Sequence, residues 1–371
     1  MQTEKIYVTK SSMPPYGEYI EAIKPLWESR WLTNMGCYHM ELENRLKEYL
    51  DVPYLSLMVN GHMALEMAIQ VMDFPEGGEV ITTPFTFIST THAIIRNHLT
   101  PIFCDVKLSD GTMDETKIEE LITEKTVAII PVHVYGNICN VEEIQRIANK
   151  YGLKVIYDAA HAFGVKYNEK GIGGYGDASI FSFHATKVFH TIEGGAVAFT
   201  DPQLYERLYN LKNFGIRGEE LVVSVGANAK MNEFAAIMGL CNLRHIDNVI
   251  EKRKLQDREY REDLTNIKEI RFFQDSVRAN KNYGYFPVLV EENGLINRDK
   301  LYDHLKSNNY YTRKYFYPLI PDQICFGNKY KDCQLEAARK LSKEILVLPL
   351  YEEIEKETVK DICSIIKEFC G

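Results

Sequence analysis

The chain has 371 residues, 45% of them hydrophobic, enough for one large core and a smaller second one, because single cores stop growing near ~250–300 residues. A formal net charge of -9 with dispersed lysines and arginines argues against nucleic acid and anionic membrane as partners. The eight cysteines are scattered without a Cys-x-x-Cys pair, and the opening MQTEKIYVTK is charged, so a zinc site, a disulfide framework, a secretory leader and a membrane span are not expected, whereas a reduced, cytoplasmic setting is.

From about residue 50 to residue 200, β-rich runs alternate with helical patterns, which predicts an α/β fold with a mixed, mostly parallel sheet. In chain order the strands are YLSLMV (54–59), EVITT (79–83), TPIFCD (100–105), TVAIIPVHV (126–134), LKVIYD (153–158), ASIFSF (178–183) and GAVAFT (195–200). Between them lie the helical patterns HMALEMAIQVM (62–72), FISTTHAIIRN (87–97), DETKIEELI (114–122) and VEEIQRIANKY (141–151), the last stopped by Gly152. A long helix over 231–264 then leads into a smaller C-terminal α/β domain with NYGYFPVLV and EILVLPL as strands. The expected division is a large domain of residues 1–245 and a small one of 246–371. Gly171, Gly173 and Gly176 in GIGGYG have dinucleotide-loop spacing, but a strand follows them instead of a helix, so a turn is expected.

In an open α/β sheet, ligands collect at the carboxyl ends of strands, and VIYDAAHAFG (155–164) ends an apolar strand with Asp158. Alone, such an aspartate is more often a turn or helix-cap residue. Lys187, 29 residues on and just past another apolar strand, changes the balance. An acid that keeps a heteroaromatic nitrogen protonated and an amine that forms a Schiff base are the two groups a pyridoxal phosphate site requires. The competing reading of Lys187 is a snorkelling surface lysine. Small neighbours, Ser182 and the Gly194–Gly195 turn, favour a phosphate close by. At Asn60-Gly61 a strand gives way to a helix, whose free amides suit a phosphate. His133, His184 and His190 lack metal-ligand spacing and read as packing or pocket-lining residues, with no metal expected.

DAAHAFG and SFHATK, with the stretch from WLTNMG (31–36) to ILVLPLY (345–351), resemble the fold type I, pyridoxal-phosphate-dependent nucleotide-sugar aminotransferases of the DegT/DnrJ/EryC1/StrS family. The resemblance implies that Lys187 is the Schiff-base lysine, that Asp158 meets the pyridine nitrogen and that His161 lies beside the phenolic oxygen. Phe87 matches the aromatic stacked on the ring, although a core phenylalanine is an equal reading of that position. Ser182 and the amides of Gly61 and His62 match the phosphate donors. Asn228 in GANAKMNEFAAIMG matches an asparagine that reaches the neighbouring subunit's phosphate, so a homodimer is implied. Arg313 and Tyr317 in YYTRKYFYPLI border the sugar-nucleotide region, as does His184, with a plain β-strand edge as the alternative. The chain departs from the family pattern in having Gly61-His62 for Gly-Thr, which loses a hydroxyl contact to phosphate or replaces it with imidazole, and in the residues flanking Asn228.

Within the family the wording is most similar to enzymes that make dTDP-4-amino-4,6-dideoxyglucose for O-antigen assembly, with glutamate as amino donor. Amination at carbon 3 is the second expectation, and a non-catalytic regulator on the same fold a third. Sugar dehydratases of the family carry histidine in place of the lysine, and Lys187 speaks against that activity.

Overall fold

The computed structural model describes residues 4–371. The chain opens with β1 (Ile6–Tyr7), α1 (Tyr16–Ile23), α2 (Pro25–Ser29) and α3 (Cys37–Leu50), followed by β2 (Tyr54–Met58), α4 (Gly61–Gln70), β3 (Glu79–Thr82), α5 (Ser89–Arg96) and β4 (Thr100–Phe103). Next come β5 (Thr126–Ile130), α6 (Val141–Tyr151), β6 (Lys154–Asp158), the short pair β7 (Lys166–Tyr167) and β8 (Lys170–Gly171), then β9 (Ala178–Ser182), β10 (Gly195–Phe199) and α7 (Gln203–Lys212). The long α8 (Glu233–Leu264) leads to β11 (Ile270–Arg271), β12 (Phe286–Val290), α9 (Arg298–Ser307), β13 (Tyr310–Tyr311), α10 (Glu336–Glu344), β14 (Ile345–Leu348) and α11 (Lys356–Cys370).

Seven strands form one sheet in the order β2-β10-β9-β6-β5-β3-β4, parallel throughout except for β10, which is antiparallel to both neighbours. Both faces are covered, which is why these strands read as apolar runs without alternation. Leu55, Leu57, Val155, Tyr157 and Phe181 pack with residues of α3, α6 and α8 on one face. Met58, Ile156, Ile180 and Val197 pack with α4, α5 and α7 on the other.

A second, antiparallel sheet, β11-β12-β14, has its own core with α9 and α11, joined by Tyr260 and Leu264 from the end of α8. The first half of that helix, through Val249, belongs to the core of the large sheet. β1 pairs with β13, so the beginning of the described chain packs beside the C-terminal region.

Capping asparagines explain several helix starts: Asn60, Asn140 and Asn232 accept from the amides of Met63, Glu143 and Ala235. Gly152, with φ 69°, ends α6 as its position predicts. Two expected elements differ. Residues 114–122 form two short 3-10 turns, Glu115–Lys117 and Glu119–Leu121, instead of one α-helix. The Asp114 side chain tightens the first turn onto the Thr116 amide, and Lys117 is drawn to Asp105. The run 126–134 is regular only to Ile130, because Pro131 has no N–H to continue the ladder; Val132 makes a lone bridge to Asp158. The glycines of 171–176 form a tight turn: a Cβ on Gly171 would lie 1.9 Å from the Leu50 carbonyl oxygen.

A buried carboxylate joins the two sheets. Asp105, just past β4, accepts through Oδ1 from the amides of Val106 (2.9 Å) and Ala338 (2.8 Å), and through Oδ2 from the Ala337 amide (3.0 Å) and Lys117 Nζ (3.2 Å). Ala337 and Ala338 begin α10, where free amides and the helix dipole favour a negative charge. Asp105→Ala is expected to destabilise the protein by roughly 2–4 kcal/mol in urea unfolding, because the Ala338 amide is left buried and that of Ala337 partly buried, both without an acceptor. A loss below ~0.5 kcal/mol would show that α10 is held by its apolar face alone.

Candidate active site

Side chains alternate along a strand, so Asp158 shares the face of Ile156, and Ser182 that of Ile180. That face is covered by α4 and α5. β6 and β9 are adjacent and parallel, with Asp158 in register with Ile180, so both strands deliver their last residues to the same edge of the sheet. Asp158 is 6% exposed. One carboxylate oxygen accepts from Thr90 Oγ1 of α5 at 2.7 Å and the other from the Ala160 amide at 3.1 Å. Burial raises its pKa, opposed by these two hydrogen bonds and by the charge of Lys187. No salt bridge joins Asp158 to Lys187 among the described residues, although each feels the other's field.

Lys187 sits in the loop between β9 and β10. Phe183 and Gly194 are hydrogen-bonded across its base, and Phe189 stacks on Phe163 at 4.4 Å. The loop is thereby anchored, and the lysine is half-buried, unlike a snorkelling end. Its Nζ donates to the Tyr285 hydroxyl at 3.0 Å. His161 is buried, and its Nδ1 accepts from the Tyr135 amide at 3.0 Å, which leaves the ring proton on Nε2. Burial, aided by the Lys187 charge, pushes its pKa well below the usual histidine value, so the ring is a neutral donor.

Gly61 opens α4 against Ser182. A Cβ at Gly61 would lie 2.7 Å from the Ser182 Cβ, and one at Gly195 would lie 2.7 Å from the Asn60 carbonyl carbon. Only glycine permits this approach, which brings the Ser182 hydroxyl to the helix start. Asn60 Oδ1 takes the Met63 amide, and the amides of Gly61 and His62 have no partner among the described residues. The His62 ring is tied to Ser89 Oγ at 2.8 Å and Glu66 Oε1 at 3.0 Å, so both of its nitrogens are occupied and what remains to offer is its backbone amide.

These groups suit a phosphorylated pyridine: a buried acid with no cation paired to it, a half-buried amine from the neighbouring strand end, a neutral N–H donor, and a helix start with a hydroxyl for the phosphate.

Phe87 is 59% exposed, which removes the core reading; it lies in the turn before α5, not in the helix expected from residue 87. It lines a cavity of about 480 Å³ together with Tyr302, Arg313, Lys314, Tyr315 and Tyr317. The lining holds two cations and no carboxylate, and one of the two, Lys314, is ion-paired with Asp299 outside it. The segment 310–320 is a strand only at Tyr310–Tyr311; beyond it Arg313 makes a single bridge to Val347, and its guanidinium lies 5.0 Å from the Tyr315 ring. Tyr315 also borders a small cleft lined by Thr186 and Tyr285, next to Lys187. His184 is outside that cavity lining; it bonds Thr186 Oγ1 at 2.8 Å and approaches Glu193 at 3.6 Å. Asn228 is exposed, in a bridge with Asn213, and does not reach the cluster within its own chain. His133 and His190 are buried, His133 stacked on Tyr157.

Sequence reading missed Thr90, Tyr285 and Asn282. Asn282 donates to the backbone oxygens of His161 (2.9 Å) and Phe163 (3.0 Å), fastening the segment that carries Tyr285. Its place in NYGYFPVLV, read as a strand, concealed this: the strand begins only at Phe286.

The raised pKa of Asp158 gives a test on the cofactor-free protein. A carboxyl whose folded pKa exceeds its ordinary value of 3.8 contributes stability below that value and loses it as pH rises through the folded pKa. Asp158→Asn, free of the buried charge, is therefore expected to melt above the unsubstituted protein at pH 7, with the gap narrowing as the pH is lowered towards 3.8. An equal or lower Tm at pH 7 would contradict it.

Residues 16–367 match the DegT/DnrJ/EryC1/StrS aminotransferase family. The chain is 42% identical over 363 residues to dTDP-4-amino-4,6-dideoxy-D-glucose transaminase of Shigella dysenteriae, covering 98% of each, and 42% identical over 371 residues to the Escherichia coli protein of the same name, covering 99% of each. Its fold superposes with a TM-score of 0.93 on a crystal structure of DesI in the presence of its TDP-sugar product, at 29% identity, covering 99% of this chain and 93% of that one. The chain therefore belongs to the DegT/DnrJ/EryC1/StrS family and is a pyridoxal-phosphate-dependent nucleotide-sugar aminotransferase.

Proposed function

We propose that the protein moves an amino group from glutamate to carbon 4 of dTDP-4-keto-6-deoxyglucose, giving dTDP-4-amino-4,6-dideoxyglucose for O-antigen synthesis. The observation that carries this reading is the aromatic cavity with Arg313 and Lys314, which adjoins the Lys187 region through Tyr315 against Tyr285 and Phe316 against His161, since a nucleotide sugar offers a flat base for ring stacking and a diphosphate for cations. The names of the 42% identical relatives support the choice of dTDP and carbon 4.

Bound pyridoxal phosphate supplies an electron-withdrawing ring that acidifies the carbon bearing the amine. Lys187 would hold it covalently, Asp158 would keep the proton on its ring nitrogen, and the Nε2–H of His161 would donate to its phenolic oxygen. Ser182 and the amides of Gly61 and His62 would hold its phosphate, with Phe87 on the ring face. Lys187 Nζ, once released, removes the proton from the glutamate α-carbon and, in the second half, delivers one to carbon 4 of the sugar. Ping-pong kinetics follow from the two halves sharing one site. Arg313 and Lys314 orient the diphosphate, and Tyr317 lines the sugar. A non-catalytic regulator would have no use for a buried Asp158 whose charge its surroundings disfavour.

The second subunit belongs to the same proposal. Asn228 lies beyond an exposed apolar stretch, Leu221, Val222, Val223 and Val225, and Trp27 and Trp31 are also exposed. A patch of this kind on a monomer calls for a partner, and a second copy would let Asn228 reach the facing phosphate.

Product NMR after incubation with dTDP-4-keto-6-deoxyglucose and glutamate is expected to show the amine on carbon 4; an amine on carbon 3 would overturn the assignment. Lys187→Ala should abolish turnover and the borohydride-fixed cofactor adduct. Arg313→Met should raise the KM for the sugar nucleotide about tenfold, or ~1.4 kcal/mol, with cofactor retention unchanged. Asn228→Ala should weaken cofactor retention in a protein that still sediments as a dimer, and a monomer in the unsubstituted protein would end the shared-site reading.

A further inference from the structure

We propose that Tyr285 is the positioning residue of Lys187: its hydroxyl takes the ε-ammonium when the lysine is not covalently engaged and aims it at the reacting carbon. The proposal rests on the role given to Lys187 above and adds a group supplied by the C-terminal part of the chain.

Three observations carry it. The first is the contact. Nζ lies 3.0 Å from the hydroxyl and 5.6 Å from the ring centroid. So short a distance to the oxygen with so long a one to the centroid puts the amine off the end of the C–O bond, not over the ring face. This is a directed hydrogen bond with the phenol oxygen as acceptor.

The second is the fixity of the phenol. Its ring is tilted on His161 at 4.6 Å and stands edge-on to Tyr135 (5.8 Å) and Tyr315 (6.4 Å). Its backbone is held three residues earlier by the buried Asn282, whose side chain bonds the His161 and Phe163 carbonyls and the Gly284 amide. The third is the freedom it restrains: a released lysine has a flexible four-carbon stem, and misplacement of a base by an ångström is costly in rate.

The charged and titratable groups around this pair are Asp158 and His161 on the Lys187 side, Tyr135 and Tyr315 about the ring, and Arg253 of α8, which interacts electrostatically with Tyr285 from within the core.

The test begins on the apoenzyme, with reductive methylation of Lys187 at a fixed pH of 7 followed by mass spectrometry. In Tyr285→Phe, Lys187 is expected to label about threefold faster, because no hydroxyl holds its amine. In the holoenzyme, single-turnover loss of the visible cofactor band with glutamate should slow about tenfold. The KM for the sugar nucleotide should stay within about twofold. Tyr285→Leu, which removes ring and hydroxyl together, should show the same gain in labelling rate. A Phe variant that labels and turns over like the unsubstituted protein overturns the proposal, as does a gain in Leu but not in Phe, which would assign the effect to ring packing. An unsubstituted holoenzyme with no borohydride-stable adduct on Lys187 would instead sink the underlying role of the lysine.

Discussion

The parallel pairing of β6 with β9 is the constraint on which the site depends. Two neighbouring strands that run the same way end at the same edge of the sheet, so Asp158 at the end of one and the loop of Lys187 after the other emerge side by side. Had the two strands been antiparallel, acid and amine would lie at opposite edges. The single reversed strand, β10, then matters in its own right. It returns from the lysine loop to pair with β2, and its first residue, Gly195, presses on Asn60 at the start of α4. Helix start, serine hydroxyl, acid and amine are thus gathered by strand direction and by two missing side chains.

Gathering these groups costs stability. A carboxylate with only neutral hydrogen-bond partners in a covered pocket is held in a state that its surroundings disfavour. Thr90 and the Ala160 amide offset part of that cost and fix where the oxygens point. A paired cation would relieve it further but would also cancel the negative charge that a ring nitrogen needs in order to hold a proton. The polar arrangement around His161 follows the same logic: the Tyr135 amide occupies one nitrogen, burial forbids a second proton, and the ring is left with one donor.

The sheet was legible in the sequence because strands covered on both faces are written as uninterrupted apolar runs, and the acid and the lysine were legible because each ends such a run. Elsewhere the misreadings share a cause. Residues 114–122 have apolar positions spaced three apart, Ile118 and Leu121, which a 3-10 turn satisfies as well as an α-helix; the ties of Asp114 to Thr116 and of Lys117 to Asp105 decide between them. Phe87 looked like a helical or core residue because its exposure depends on where α5 begins. Thr90 and Tyr285 had no local signature at all. Each is defined by a partner 68 or 98 positions away, Asp158 for one and Lys187 for the other, and only the packed structure supplies that pairing. The chain's departure at His62 could be seen in the sequence, but its consequence depended on Glu66 and Ser89 taking both ring nitrogens.

Chemistry and recognition are housed in parts of different rigidity. Asp158, the start of α4 with Ser182, and the Lys187 loop grow from the ends of the large sheet, where a substitution disturbs a covered core. Arg313, Lys314 and Tyr317 lie on a stretch whose regular pairing ends at Tyr311, beyond which Arg313 makes one bridge to Val347. That separation works only if the two regions keep a fixed distance. Asp105 on the first turn of α10, Asn282 on the His161 backbone, and an apolar layer in which Phe85 and Tyr135 meet Phe316 and Leu319 all fix it. Under the proposed roles, a chain built this way would exchange one nucleotide sugar for another at Arg313, Lys314 and Tyr317 while Lys187 keeps its place, because those three lie outside the joining layer, to which the same cavity lends Tyr315, Phe316 and Ile320.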